Sequence, residues 1–204
     1  MSQIVANENL PFDFFSHHSY ADVEDTLKMQ AYVEERLSQA GLTPEIHLNE
    51  WYPQPNRATR GKSVDAARIT AMMCAMQNTK MSVMCFYDAR IGCSLYGGLF
   101  NPLTFQPFCA YYAFKAFGNL YKMETQVECT CDNPAVYSLM ATDGNKSGVL
   151  LSNVGETTQI KTDFNGNLQA YLIDENNMME PISINPKDFK LEQNQVIYIE
   201  GILQ

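Results

Sequence analysis

Basic residues are scarce in this sequence, and acidic residues outnumber them. The 204 residues include 14 Lys and Arg against 23 Asp and Glu, which gives a formal net charge of −9. Proteins that bind nucleic acid use clusters of Lys and Arg to displace the counterions of the phosphate backbone. This sequence contains no such cluster, and we therefore expect no nucleic-acid partner.

Long apolar runs are also lacking. No stretch approaches the roughly 20 apolar residues that a membrane-spanning helix needs. The first ten residues have neither the basic start nor the long apolar stretch of a secretory signal. We therefore expect no membrane partner. Apolar residues nevertheless make up 46% of the chain, enough to bury the core of one large domain or two small ones.

Cysteine and histidine spacings typical of metal sites are missing as well. Cys129 and Cys131 are two residues apart, which in a strand would place both side chains on one face. No Cys-x-x-Cys pair occurs, and no acidic residue stands at ligand spacing from His17, His18 or His47. The sequence predicts no metal site and no cofactor. Since their surroundings are apolar, we interpret all six cysteines as buried thiols: Cys74, Cys85, Cys93, Cys109, Cys129 and Cys131.

The first 120 or so residues alternate three apolar strand candidates with three helical patterns. The predicted strands cover residues 12–16 (FDFFS), 45–49 (EIHLN) and 81–87 (MSVMCFY). Asp22 can cap a helix from residue 23 to about 40 that Gly41 ends, and Ser63 can cap a second helix. A third helix is predicted from about residue 104 to 121. This alternation is typical of parallel βαβ units, and a sheet of three such strands leaves two edges open.

From about residue 122 the pattern changes to seven short segments of period two, which predict an antiparallel β-sandwich. Asn165-Gly166 predicts a two-residue hairpin, and Asp143-Gly144 predicts a second turn. We therefore expect two domains, an α/β domain over residues 1–121 and an all-β domain over residues 122–204.

Polar and aromatic residues follow each of the three predicted parallel strands. These segments read SHHSY (16–20), NEWY (49–52) and YDAR (87–90), the last followed by YGGLF (96–100). In parallel α/β folds the carboxyl ends of the strands meet at one edge, where catalytic groups lie. A carboxylate such as Glu50 can attack an anomeric carbon, and aromatic rings can stack on a pyranose. Two alternatives stay open: Glu50 as a solvated rim residue, and Asp88 as a partner of Arg90 rather than of a sugar.

The order of these motifs resembles the family 39 glycosidases and their relatives in clan A of the glycoside hydrolases. The resemblance rests on Ser-His-His-x-Tyr at the end of one strand, then LNEWYP, then an apolar strand and a β-sandwich. It implies a partial (β/α)8 barrel made of strands six to eight, followed by the sandwich. It also implies hydrolysis of a glycosidic bond with retention, Glu50 being the nucleophile at the end of strand seven. The residues that it implies for carbohydrate binding are His17, His18, Tyr20, Asn49, Trp51, Tyr87 and Asp88.

Asn49-Glu50 also resembles the pair that carries the acid/base on strand four of this clan. Because only one more strand and helix separate Glu50 from the sandwich, the resemblance places Glu50 on strand seven. Strands one to five, with the acid/base, would then be absent, since a whole barrel needs about 250 residues. We expect a fragment that is inactive or weakly active alone and that self-associates so that another copy covers the open sheet.

The alternative function is a non-catalytic carbohydrate-binding or assembly module derived from a glycosidase, and an inert fragment is a third. The sequence does not identify the sugar, its linkage or its anomeric configuration. It leaves the compartment open too: relatives of this kind are often exported, and a signal would lie on the missing N-terminal part.

Overall fold

A computed structural model describes residues 2–92 and 96–203 of the chain. The helices are α1 (Ser2–Asn7), α2 (Val23–Gln39), α3 (Ser63–Met76) and α4 (Cys109–Tyr121). The strands of the first part are β1 (Phe14–Ser19), β2 (Glu45–Trp51) and β3 (Met81–Phe86). The later strands are β4 (Thr125–Val127), β5 (Val136–Thr142), β6 (Ser147–Asn153), β7 (Thr158–Lys161), β8 (Gly166–Ile173), β9 (Met178–Ile182), β10 (Asp188–Leu191) and β11 (Val196–Leu203).

The first three strands form a parallel sheet in the order β1-β2-β3, as the βαβ pattern predicts. The predicted ends of two strands are wrong. β1 continues through His17 and His18, and β2 continues to Trp51, because neighbouring strands supply backbone partners beyond the apolar residues that marked them in the sequence. The histidines therefore lie within a strand and alternate between its faces.

Helix α2 begins and ends where its capping residues predict. The Asp22 carboxylate accepts a hydrogen bond from the Asp25 backbone N–H at 2.9 Å. Gly41 follows the helix with φ +69°, a conformation that a side chain disfavours. On the buried side of the helix, Val33 and Leu37 pack against Ile46 of β2. α2 thus covers one face of the parallel sheet.

Helix α3 is not capped by Ser63, which corrects the expectation. The residue at the cap position is Lys62, whose side chain makes no capping bond, and Ser63 is the first helical residue. Its backbone N–H and its hydroxyl both donate to Glu175 Oε1, each at 3.1 Å. Glu175 lies between β8 and β9, so the antiparallel part of the chain supplies the cap.

Helix α4 begins at Cys109, five residues later than predicted. Phe105 has a positive φ of +59°, which interrupts any helix there, and Phe100 pairs with Pro107 in an isolated bridge. The residues before Cys109 therefore belong to a loop that runs back from the end of β3.

The later strands form a six-stranded antiparallel sheet in the order β4-β5-β6-β11-β8-β9 and a two-stranded sheet of β7 and β10. The turn at Asp143-Gly144 joins paired strands β5 and β6, as predicted, and Gly144 has φ +86°. The hairpin predicted at Asn165-Gly166 is wrong. β7 pairs with β10, whereas β8 pairs with β11 and β9, so the chain crosses between the two sheets at this turn. Strand β10 was not among the predicted segments.

Helices α3 and α4 are packed between the parallel sheet and the six-stranded sheet. Their buried side chains form one core with residues of both sheets, including Leu48 of β2 and Leu150 of β6. The two-stranded sheet packs on the six-stranded one through a second core that contains Ile160 and Phe189. The molecule therefore consists of stacked layers with α3 near the centre.

The cysteines do not all have the expected burial. Cys74 and Cys109 are buried, and Cys129 and Cys131 are half-buried in a segment that lies outside β4. Cys85 is exposed, which corrects the expectation, because β3 is an edge strand with one uncovered face. Cys93 lies outside the described residues. Among the helices of residues 2–92 and 96–203, none is long and apolar enough to cross a membrane.

We predict that Glu175→Ala lowers the free energy of unfolding by about 1 kcal/mol, because it removes the acceptor at the start of α3. Urea denaturation followed by circular dichroism measures this. Glu180→Ala is the matched control, since Glu180 is exposed on the neighbouring strand β9 and should change stability little. Equal losses in both variants would contradict the capping role.

Candidate active site

Glu50 lies near the carboxyl end of β2, the central strand of the parallel sheet. The register between β1 and β2 shifts after His17, so that His17 pairs with Leu48 and His18 pairs with Glu50. Asn49 is the extra residue of this bulge, and its side chain is exposed. The shift places the Glu50 carboxylate beside His18, on the face of the sheet away from α2.

Two side chains contact the same oxygen of Glu50. The Tyr20 hydroxyl donates to Glu50 Oε2 at 2.6 Å, and His18 Nδ1 lies 3.3 Å from that oxygen. Burial, together with the hydrogen bond to the carboxylate, raises the pKa of Tyr20 well above its ordinary value. The phenol therefore stays protonated and acts as a donor that fixes the orientation of the carboxylate.

Three tyrosines form a wall beside Glu50. The ring of Tyr96 lies 5.2 Å from the ring of Tyr20 and 5.0 Å from the ring of Tyr87, measured between centroids. The rings of Tyr20 and Tyr87 are 6.3 Å apart and nearly perpendicular. Tyr96 belongs to the YGGLF segment noted after the third strand, but it was not among the predicted site residues.

Two glycines shape the loop that carries Tyr96. Gly97 and Gly98 have φ values of +94° and +89°, which side chains disfavour. A Cβ on Gly98 would lie 2.9 Å from Arg60 Cγ and 3.0 Å from the backbone nitrogen of Gly61. The loop therefore lies close against the segment that follows β2.

A buried network holds the segment after Glu50. The Tyr52 hydroxyl donates to Asp65 Oδ2 at 2.6 Å, and the backbone N–H of Gly61 donates to the same oxygen at 2.9 Å. The Thr59 hydroxyl donates to Asp65 Oδ1 at 3.2 Å. Burial raises the pKa of Asp65, and these hydrogen bonds oppose that shift. Sequence analysis missed Asp65, since a single acid within an apolar helix has no motif.

Asp88 is engaged by Arg90. The guanidinium forms an ion pair with Asp88 Oδ2, and the backbone N–H of Arg90 donates to Asp88 Oδ1 at 3.0 Å. The guanidinium also lies 5.4 Å from the centre of the Tyr87 ring. The sequence left open whether Asp88 binds a sugar or pairs with Arg90, and the structure shows the pair with Arg90.

His17 and Trp51 are not brought together with the others. His17 lies on the opposite face of β1, where its Nε2 is 3.1 Å from Gln30 Oε1 of α2, and burial lowers its pKa. Trp51 is 1% exposed, and its ring packs 5.2 Å from that of Phe86. The structure thus gathers Glu50, His18, Tyr20 and Tyr87 and adds Tyr96. His17 and Trp51 lie away from this group, His17 against α2 and Trp51 in the buried core.

No protein-family model and no curated protein sequence matches this chain. Solved structures do match its fold. A glucosidase from Croceicoccus marinus superposes with a TM-score of 0.75 at 17% identity, over 98% of this chain and 55% of that one. A family 39 β-xylosidase from Caulobacter crescentus superposes with a TM-score of 0.70 at 15% identity, over 98% and 53% of the two chains. The chain has a glycosidase-like fold.

Another neighbour is a family 30 endoxylanase from Clostridium papyrosolvens, with a TM-score of 0.62 at 15% identity over 96% of this chain and 50% of that one. The chain therefore spans about half the length of these glycosidases. At such low identity the likeness concerns the fold alone.

We predict that Asp65→Asn lowers the free energy of unfolding by about 1–3 kcal/mol, because the amide cannot accept all three hydrogen bonds that the carboxylate accepts. Urea denaturation measures the loss. Asp13→Asn, at an exposed position, is the control and should cost little. A loss in Asp65→Asn no greater than in Asp13→Asn would show that the network does not stabilise the fold.

The lowered pKa of His17 predicts that the free energy of unfolding depends on pH. Its pKa is lower in the folded chain than the ordinary value of 6.5, so between these two values the unfolded chain binds more protons. Stability should therefore fall as the pH is lowered through 6.5 and stop falling below the lowered pKa. In urea denaturation at pH 7.5 and pH 5.5, the His17→Gln variant should lose less stability than the unchanged chain. Equal losses would exclude His17 as a source of the acid sensitivity.

Proposed function

We propose that this chain is part of a retaining glycoside hydrolase in which Glu50 is the nucleophile. The observation that carries the proposal is the carboxylate at the end of the central parallel strand, held by Tyr20 and bordered by a tyrosine wall. The glycosidase-like fold supports it. No cofactor is required, because a carboxylate attacks the anomeric carbon directly.

The two carboxylate oxygens of Glu50 differ in their contacts. Tyr20 and His18 both lie against Oε2, whereas Oε1 accepts no hydrogen bond within the described residues. We propose that Oε1 forms the bond to the anomeric carbon while the bond to the leaving oxygen breaks. Tyr20 then serves as a positioning residue, since it keeps Oε2 turned away from the substrate.

Carbohydrate is the proposed ligand, and the tyrosine wall is its proposed platform. The C–H face of a pyranose can stack on an aromatic ring. Tyr20, Tyr87 and Tyr96 present such rings next to Glu50, and His18 and Asn49 add polar groups on the same side of the sheet. The structural neighbours include a glucosidase and a β-xylosidase, so glucosides and xylosides are the first sugars to test.

The proposed architecture follows the resemblance found in the sequence. We propose that residues 1–121 correspond to the last three βα units of a (β/α)8 barrel and residues 122–204 to an accessory β-sandwich. The parallel order β1-β2-β3 with its helices supports the first part. The two packed antiparallel sheets support the second.

A retaining reaction needs a second carboxyl about 5–5.5 Å from the nucleophile, to protonate the leaving oxygen and later activate water. Asp88 is a poor candidate because its carboxylate is paired with Arg90. We propose that the acid/base comes from polypeptide outside this chain.

The ion pair between Asp88 and Arg90 also favours the second candidate function. This is a carbohydrate-binding or assembly module that retains the tyrosine wall but does not hydrolyse the sugar.

The test is turnover of dinitrophenyl glycosides with and without azide. Such leaving groups depart without protonation, and azide replaces the water that a missing base cannot activate. We expect azide-dependent release on at least one sugar, lost by about 100-fold or more in Glu50→Gln. Glu45→Gln is the matched control on the same strand and should retain the activity, because Glu45 contacts His47 at the other end of β2.

The outcomes separate the two functions. Azide-dependent release that survives in Glu50→Gln would exclude Glu50 as the nucleophile. Binding of sugars by the unchanged chain and by Glu50→Gln alike, without release, would establish the binding module instead.

A further inference from the structure

Gly98 lies against the two groups that donate hydrogen bonds to Asp65 Oδ2. A Cβ placed on Gly98 would be 3.0 Å from the backbone nitrogen of Gly61 and 3.3 Å from the hydroxyl oxygen of Tyr52. These are the N–H and the O–H that bind Asp65 Oδ2, at 2.9 Å and 2.6 Å. One buried carboxylate oxygen therefore fixes both of the groups on which Gly98 rests.

Gly61 also supports the other end of the loop that begins at Gly98. A Cβ placed on Gly61 would be 2.5 Å from the ring of Phe108. The backbone N–H of Phe108 donates to the carbonyl of Leu99 at 2.9 Å and so closes the loop at its base. Both ends of the loop therefore rest on the residue whose N–H Asp65 holds.

The position of Tyr96 depends on where this loop rests, because only Gly97 separates Tyr96 from Gly98. The ring of Tyr96 also meets the ring of Tyr52 edge to face, with centroids 6.4 Å apart. A displacement of Gly98 or Tyr52 would therefore move Tyr96 relative to the other two rings of the tyrosine wall.

We propose that Asp65 is a positioning residue for the tyrosine wall: by holding Gly61 and Tyr52, it determines where Tyr96 meets the sugar. This inference rests on the proposed function, in which the wall binds carbohydrate beside Glu50. Asp65 is fully buried, so it acts through its neighbours and not on the sugar itself. The carboxylate of Glu50 is held separately by Tyr20 and His18, and the effect should therefore fall on binding more than on the chemical step.

Azide-dependent release of dinitrophenol measures the effect on the sugar site. Gly98→Ala and Asp65→Ala should each raise KM about 3- to 10-fold, the range expected for one weakened aromatic contact, and change kcat by less than about twofold. Gly92→Ala is the matched control in the same connection between β3 and α4, since a Cβ there has nothing within 4 Å. A lower kcat with unchanged KM in Gly98→Ala would overturn the proposal.

The double variant Asp65→Ala/Gly98→Ala tests whether the two residues act through the same contact. Its KM should equal that of the more impaired single variant, because the second substitution removes a contact that is already lost. Two effects that multiply would overturn the proposal. Circular dichroism shows whether each variant is folded. Tyr52→Phe removes only the hydroxyl, and it replaces Asp65→Ala in this comparison if that variant is unfolded.

Fluorine NMR of the chain labelled with 3-fluorotyrosine reports on Tyr96 without any turnover. Tyr96→Phe identifies the Tyr96 resonance by removing it. This resonance should shift in Gly98→Ala and in Asp65→Ala, because the neighbouring rings would then lie differently around it, and it should stay in place in Gly92→Ala. The resonance of Tyr32, which is exposed on α2, should not move in any of them. An unshifted Tyr96 resonance in both variants would overturn the positioning role.

The two measurements separate this inference from the proposed function. If the unchanged chain releases no dinitrophenol, the proposed nucleophile is refuted, and the fluorine resonance alone decides whether Asp65 positions Tyr96. If the resonance shifts while KM stays the same, the loop moves without affecting the sugar, and this inference is overturned while the nucleophile stands.

Discussion

The burial of helix α3 between two sheets is the constraint on which the rest of the structure depends. Ala66, Ala67 and Ala71 are fully buried, and these small side chains let the helix approach its neighbours closely. Asp65 on the same helix is buried as well, and it is stable there only because three donors converge on it. The packing of α3 thus fixes Tyr52, and with it the backbone that follows Glu50.

Local geometry then determines what the carboxylate can do. The bulge at Asn49 turns Glu50 towards His18, and Tyr20 reaches it from the loop after β1. A hydrogen bond from a phenol that remains protonated orients one oxygen without neutralising the charge. The other oxygen, Oε1, accepts no hydrogen bond within the described residues. The site is therefore organised in advance around one orientation of one carboxylate, even though its open side faces solvent.

The features that the sequence could predict are those encoded locally. The apolar periodicity of the first part gave the βαβ order, Asp22 and Gly41 marked the ends of α2, and Asp143-Gly144 marked a hairpin. The features that it could not predict depend on residues far apart. Glu175 caps α3 from 112 positions away, and the chain leaves Asn165-Gly166 towards a different sheet from the one it came from. The sequence singles out Glu50 because polar residues concentrate at strand ends, whereas the contacts of Tyr96 and Asp65 arise only through packing.

The two sheets differ in how their edge strands are protected: β9 carries Glu180 and Pro181, whereas β1 and β3 contain no Lys, Arg, Asp, Glu or Pro. Charge and proline on an edge strand discourage pairing with a further strand, so the parallel sheet is the one of the two whose edges can accept one. In the proposed function the second carboxyl comes from polypeptide outside this chain, and the sheet that carries Glu50 is the one with open edges.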